Sequence, residues 1–327
     1  MSYVIPFLHR QLFVKLPEPT ASFQGKTVIV TGSNVGLGLE ASRWLVRLGA
    51  SRVILACRNL SKGQAAAKDI QTTTGCSSDT IGVWQLDMGS YASVQAFAAK
   101  VKAELPRLDV LIANAGINSH IFNLAEDNEA MVTVNVVSLF LLGFLLYPKL
   151  RETAKQYNTE THFTITSSDL HEVASFKEHE APPGQIFATL NDKTKFPWMD
   201  RYPTSKLLEI LMVKQMATLS PHDTNRVIVN CVSPGMCQSE LTREFSNFLV
   251  RLIQKVLGRT TEVGSRTIVY GASFGAESHG KYIPDCKIEA PRGICQRDNA
   301  GEIQTKVWAE LKDKLETIQR GVTTLSA

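Results

Sequence analysis

No CxxC pair and no compact cysteine framework occurs in this chain. Its six cysteines, Cys57, Cys76, Cys231, Cys237, Cys286 and Cys295, are scattered. Neither a zinc site nor a disulfide scaffold is therefore expected, and reduced thiols fit a cytoplasmic location. Runs of Lys or Arg are also missing. A formal net charge of +4 is spread over 327 residues, which argues against a nucleic-acid partner, because following a phosphate backbone takes clustered cations. The longest apolar stretch, Val136 to Tyr147, lies mid-chain and falls short of the roughly 20 residues that span a bilayer. It reads as a buried helix. The amino terminus has no long apolar core followed by small residues, so no signal peptide is read. Met1 to Thr20 instead alternates small apolar clusters with His9, Arg10 and Lys15 and ends in Pro17-Glu18-Pro19. Such an arm, residues 1–21, either packs on the fold or lies on a membrane surface.

What is present is a regular alternation. From Lys26 onward, short β-branched runs alternate with segments of helical period, the pattern of a parallel sheet covered by helices on both faces. The strand candidates are Thr27 to Val30, Arg52 to Ala56, Gly82 to Leu86, Val110 to Ala113, His162 to Thr166 and Val227 to Val232. With 44% hydrophobic residues the chain can bury a full core, and no linker, repeat or second series divides it. The expectation is one α/β domain, residues 22–320, built on a Rossmann-type doubly wound sheet. Ligands of such sheets sit beyond the carboxyl ends of the strands. Two stretches break the rhythm as substrate-loop insertions: 172–201, with Phe187, Phe196 and Trp198, and 239–264, with an apolar stripe from Leu241 to Val256.

After the first strand comes Thr31-Gly32-Ser33-Asn34-Val35-Gly36-Leu37-Gly38, ahead of a helix expected near Leu39. Glycines there allow a tight turn and bring backbone amides and a helix N-terminus up to a diphosphate. The second strand ends in Ala56-Cys57-Arg58-Asn59, with no acidic residue for the ribose hydroxyls. A guanidinium at Arg58 suits a 2′-phosphate, so NADP(H) is expected over NAD.

Tyr202 and Lys206, four positions apart, share one face of a helix. A phenol ionises near pH 10 and is a poor proton shuttle unless an ammonium stands close by. Ser167 and Ser168 end the fifth strand, where a hydroxyl can donate to a substrate oxygen. Asn114-Ala115-Gly116 ends the fourth strand, and Asn135 lies in the next helix. Asn114 suits the adenosine side of the cofactor and Asn135 a water near Lys206, although a buried Asn often serves as a structural hydrogen-bonding post.

Together, TGSNVGLG at 31–38, ANAG at 113–116, Asn135, the Ser pair, YPTSK at 202–206 and PG at 234–235 resemble the short-chain dehydrogenase/reductase superfamily. VILACRN at 53–59, SSDLH at 167–171, SPGMCQSEL at 233–241 and GKYIPDCK at 280–287 are similar to its retinol dehydrogenase-like and fungal secondary-metabolism branch. The resemblance, over Ser22 to Ile318, implies that Tyr202 is the general acid/base and that Lys206 binds the nicotinamide ribose and acidifies Tyr202. It further implies that Ser168 orients the substrate oxygen and that Asn135 completes the tetrad. Gly32, Ser33, Val35, Gly36, Leu37, Gly38, Arg58, Asn114 and Gly116 would hold the cofactor, with Asp87 at the adenine and Pro234-Gly235 beside the nicotinamide. Two departures stand out. Pro203 follows the catalytic tyrosine, and proline fits only a first helical turn, so Tyr202 is expected at or just before a helix start. Ser168 and Tyr202 are 34 positions apart, a wide gap whose aromatics either cap the substrate pocket or pack on the core.

The function implied is hydride transfer between NADP(H) and a bulky, apolar ketone, aldehyde or alcohol, as a reductive step of fungal secondary metabolism. Rival readings are a non-redox cyclase, isomerase or scaffold, and a membrane-associated retinoid or lipid reductase. The superfamily also suggests a homodimer or homotetramer through the helix at Val134 to Leu146 and the helix carrying Tyr202.

Overall fold

β-branched residues buried on both sides make a central parallel sheet. Its strands are β1 (Thr27–Thr31), β2 (Arg52–Cys57), β3 (Ile81–Gln85), β4 (Val110–Ala113), β5 (Thr161–Thr166), β6 (Val227–Ser233) and β7 (Tyr282–Pro284). They lie in the order β3-β2-β1-β4-β5-β6-β7, every pair parallel. This computed structural model describes residues 4–238, 241 and 255–325. The six strands read from sequence are all present. The seventh, β7, holds only three residues and ends in a proline, which an edge position tolerates because one side of the strand has no ladder to complete.

Alternate residues of each strand face opposite layers. Val28 and Val30 of β1 join a core with α2 (Gly36–Arg47), α3 (Leu60–Thr74) and α7 (Thr261–Gly271), while Ile29 joins the core on the other face. That second layer consists of α4 (Tyr91–Glu104), α5 (Ser138–Tyr157), α6 (Trp198–Leu219) and α8 (Ala300–Ile318). The stretch Ala130–Tyr157, which contains α5, is long and apolar enough to cross a membrane. In the fold, 94% of its apolar window is buried, as expected of the central helix of a core.

The amino-terminal arm packs on the fold through α1 (Val4–Phe13). Arg10 Nε donates to Asp285 Oδ2 at 2.6 Å, and Arg259 bridges Asp285 and the Arg10 carbonyl. Gln11 Nε2 donates to the carbonyls of Met236 and Leu257, while its Oε1 accepts from the Met236 amide. The arm thus lies at the carboxyl end of β6 and β7, across the loop Pro234-Gly235. Gly235 has φ +73°, and a Cβ there would come within 2.9 Å of the Gln11 amide oxygen, so the ends of the Gln11 and Arg259 side chains close directly over this glycine.

Of the two insertions, 172–201 is anchored to the fold. Arg201 is fully buried, and its guanidinium donates to Glu178 and to the Leu190 carbonyl. Glu310 of α8 accepts from the amides of Ile186 and Phe187. The apolar stripe expected from Leu241 to Val256 lies outside the described residues apart from Leu241, Lys255 and Val256.

Candidate active site

The turn from β1 into α2 is built by exclusion of side chains. Gly32 has φ +64°, and a Cβ there would stand 2.9 Å from the Ala115 Cα. A Cβ at Gly38 would stand 2.6 Å from Asn114 Nδ2. Only glycine permits both the left-handed turn and the close approach. Thr31 Oγ1 accepts from the amides of Asn114 and Ala115, and Asn114 Nδ2 donates back to the Thr31 carbonyl. These bonds tie β1 to β4 at the point where the strand order reverses, the place such sheets bind ligands. Helix α2 starts at Gly36, three residues before the expected Leu39. Its N-cap, Val35, offers no side-chain acceptor, unlike Asn59 on α3 and Ser90 on α4. The amides of its first turn are therefore free to meet an anion.

One cavity of about 880 Å³ gathers nearly all the expected cofactor residues: Gly32, Val35, Gly36, Leu37, Arg58, Asp87, Asn114, Gly116, Tyr202, Lys206, Pro234 and Gly235. Ser33 and Gly38 do not line it. The Ser33 hydroxyl is buried and donates to the Val30 carbonyl at 2.8 Å, and Gly38 lies against Asn114; both shape the turn. Asp87 accepts from the Gly89 amide through Oδ1, which fixes the loop after β3. Lys62, four positions after Arg58 and just inside α3, lines the same cavity. That spacing is visible in the sequence, and it places a second cation beside Arg58.

At the other end of the cavity stand Ser168, Tyr202 and Lys206. Both serines line the cavity, but the Ser167 hydroxyl donates to the Lys206 carbonyl, whereas Ser168 caps the short helix Asp169–Val173. Tyr202 is not at a helix start. Helix α6 begins at Trp198, so Tyr202 is its fifth residue and Pro203 its sixth. The proline is accommodated because the carbonyl it leaves unpaired belongs to Met199, which is 73% exposed and so can be hydrated. Lys206 Nζ lies 5.5 Å from the centre of the Tyr202 ring, donates to the Thr166 carbonyl at 3.0 Å and donates to Glu209 Oε1 at 2.7 Å.

Asn135 sits in a widened π turn, Thr133–Val137, leading into α5. Its side chain accepts from the Ile117 amide and donates to the Ile117 carbonyl and to Ser205 Oγ. A Cβ on Gly116 would lie 3.3 Å from Asn135 Oδ1 and 3.7 Å from Lys206 Nζ, so the two side chains flank the same glycine.

Burial dominates the electrostatics. It pushes the Tyr202 phenol above its ordinary value. The Lys206 charge and the Ser168 hydroxyl oppose that shift, while Glu209 and Asp169 reinforce it. Burial disfavours the Lys206 ammonium, but Glu209 and Tyr202 outweigh it and leave the lysine more basic than usual. Burial likewise pushes up the thiols of Cys57, Cys231, Cys237, Cys286 and Cys295, that of Cys237 to about 12, so it is neutral. Among the described residues no cluster of three potential metal ligands occurs.

The aromatics of the 172–201 insertion do not cap the cavity. Phe187 is buried in the core beside Lys314, Phe196 packs edge-on against Phe122, and Trp198 is 49% exposed. They are drawn away because Glu310 and Arg201 fix this segment to α8 and α6. The apolar walls come instead from Phe7 of α1, Ile117, Val134, Leu170, Met236 and Leu241. Phe7 carries no local signal in the sequence, since nothing there says that α1 folds back over the loop after β6.

A family profile described as short chain dehydrogenase matches residues 26–157. A short chain dehydrogenase/reductase of Cryptosporiopsis sp., dmxR8, is 52% identical over 97% of this chain and 98% of its own length. The chain belongs to the short-chain dehydrogenase/reductase family. Its relatives point to the fungal branch: the short-chain dehydrogenase anuD of Penicillium roqueforti is 42% identical over 97% of this chain and 84% of its own. Among solved structures, the Pseudomonas aeruginosa RhlG/NADP active-site complex shares the fold, with a TM-score of 0.61 at 22% identity, over 82% of this chain and 97% of that one. Enzymes of this short-chain dehydrogenase/reductase family are oxidoreductases that use a nicotinamide cofactor. The donor set fits one: uncapped amides at the N-terminus of α2, a glycine turn open to close backbone approach and two cations share a single cavity with the Tyr202 phenol.

Proposed function

We propose that this short-chain dehydrogenase/reductase is an NADP(H)-dependent reductase of a bulky, apolar ketone or aldehyde, acting in fungal secondary metabolism. One observation carries the reading: Arg58 and Lys62 line the same cavity as Tyr202 and Ser168, and Phe7, Ile117, Val134, Leu170, Met236 and Leu241 give that cavity apolar wall. Two cations and no carboxylate beside the second strand favour a 2′-phosphate over a ribose diol. The NADP in the Pseudomonas aeruginosa complex and the fungal sources of the relatives agree with this choice.

When bound, the cofactor supplies the hydride that the carbonyl carbon accepts. The chain's own residues handle the proton and the geometry. Ser168 donates a hydrogen bond to the carbonyl oxygen, and Tyr202 gives its proton to that oxygen as it becomes an alcohol. Lys206, held by the Thr166 carbonyl, places a positive charge beside the phenol. Phe7, Leu170, Met236 and Leu241 keep water from the reacting centre and suit a large apolar substrate.

NADPH and NADH titrations followed by fluorescence, together with loss of NADPH absorbance over a panel of ketones and aldehydes, test the proposal. NADPH is expected to bind the more tightly, and the double variant R58A/K62A to weaken NADPH about tenfold or more while leaving NADH nearly unchanged. Equal affinity for the two cofactors, or no NADPH consumption with any carbonyl, would overturn it.

A further inference from the structure

Helix α6 carries a third ionisable residue on the face that bears Tyr202 and Lys206. Glu209 follows Lys206 by three positions, is fully buried, and accepts the lysine ammonium at 2.7 Å. A lysine that acidifies a neighbouring phenol needs its charge unspent, and a carboxylate at hydrogen-bond distance offsets that charge. We propose that Glu209 is a positioning residue of the catalytic apparatus: it anchors Lys206 and offsets its charge, so that Tyr202 is a proton donor and the site is built for carbonyl reduction. The inference rests on the reductase reading and deepens it by assigning the direction in which the proton moves.

The surroundings of the three residues support this role. From β6, the Cys231 thiol faces both Lys206 and Glu209, and burial holds it well above its ordinary value, hence neutral. From the turn after β5, Asp169 faces Tyr202 as a second acid, and Arg10 opposes its charge. The Ser167 hydroxyl lies beside Glu209. Lys206 is therefore the cation that governs the phenol, and Glu209 is the group that governs Lys206. Burial moves the Glu209 carboxyl up to about 7, partly countered by Lys206. As pH rises above 7, the carboxylate forms over the range in which an uncompensated ammonium would begin to draw the proton from Tyr202. The phenol consequently stays protonated at neutral and mildly alkaline pH. In the oxidative direction, which needs the phenolate as base, the same arrangement delays activity to higher pH.

The test is a titration of Tyr202 in the full chain by NMR of ring-labelled tyrosine, assigned by comparison with Y202F. It needs no substrate. In the wild-type protein the Tyr202 midpoint is expected above the ordinary 10 of a phenol. In E209Q, which keeps an acceptor for Lys206 but removes the charge, the midpoint is expected to fall by about one pH unit. The oxidative limb of the pH profile should move down with it. A wild-type midpoint below that ordinary value, or an E209Q midpoint unchanged in a folded protein, would overturn the inference. If E209Q does not fold, the same titration in E209N, which also removes the charge, decides: an unchanged midpoint there overturns the inference. Failure to consume NADPH with any carbonyl would instead sink the reductase reading and leave this titration standing, so the two outcomes are distinguishable.

Discussion

His162 lies on β5 beneath the helical layer, with Nε2 bonded to the Phe274 carbonyl at 2.8 Å and Nδ1 buried without a partner. Burial lowers its pKa to about 4 from 6.5. The unfolded chain therefore binds a proton at this residue between those values and the folded one does not. Its contribution to stability is complete above pH 6.5 and is lost as pH falls toward 4. The full loss from this one group is roughly 3 kcal/mol. H162Q keeps a donor for Phe274 and has nothing to titrate. Urea unfolding at several pH values should show the wild type losing about that much more stability than H162Q between pH 6.5 and 4. Parallel stability curves would refute the assignment. The pairing of Tyr202 and Lys206 is legible in the sequence because their spacing is local, whereas the choice of Ser168 over Ser167 comes from the family resemblance. Glu209 has the same kind of local signal, three positions from Lys206, yet its effect comes from burial, which spacing does not reveal.

At the scale of elements, six strands could be read because each is a short β-branched run buried on both faces. Strand β7 could not, since three residues ending in Pro284 carry no period. Pro203 misdirected the expected helix start: a proline past the first turn costs a hydrogen bond and crowds the carbonyl four residues back, and here that residue, Met199, is at the surface, where water can meet the freed carbonyl. The aromatic residues of the 172–201 insertion were poor guides to the pocket for a related reason. Their placement depends on Glu310 and Arg201, partners far away in sequence. Helix α1 is the complementary case, an element with no strong signal that supplies a pocket wall. A chain starting at Ser22 and the point variant F7A should retain NADPH affinity within about threefold. Both should raise the carbonyl KM by about tenfold, the loss of part of one aromatic contact. An unchanged KM in both would show that α1 does not touch the substrate.

For the whole molecule, the doubly wound sheet and its switch point follow from the alternation of strands and helices, and the structure bears them out. The expected pairing of subunits through α5 and α6 has a different standing. Helix α8 touches both of them: Trp308 stacks on Phe144 of α5 at 5.7 Å, and Gln304 donates to Gln215 of α6. Ile303, Val307, Leu311 and Leu315 complete the contact with the core. The apolar character of α5 is thus used inside one chain. Pairing through these helices is a proposal: a dimer or tetramer is expected by light scattering at micromolar concentration, and a monomer would contradict it.

The clasp of Arg10 and Gln11 on the loop after β6 also bears on how the protein is made. Arg10 and its partner Asp285 are 275 positions apart, and Gln11 closes on Met236 and Leu257. Helix α1 therefore waits for residues 275 positions further along before it finds its place. At about 5–20 residues per second, that delay lasts on the order of ten seconds or more. Through most of synthesis the glycine turn and the first strands can assemble while the pocket still lacks its Phe7 wall. The cavity gains its Phe7 wall only after Asp285 has been made.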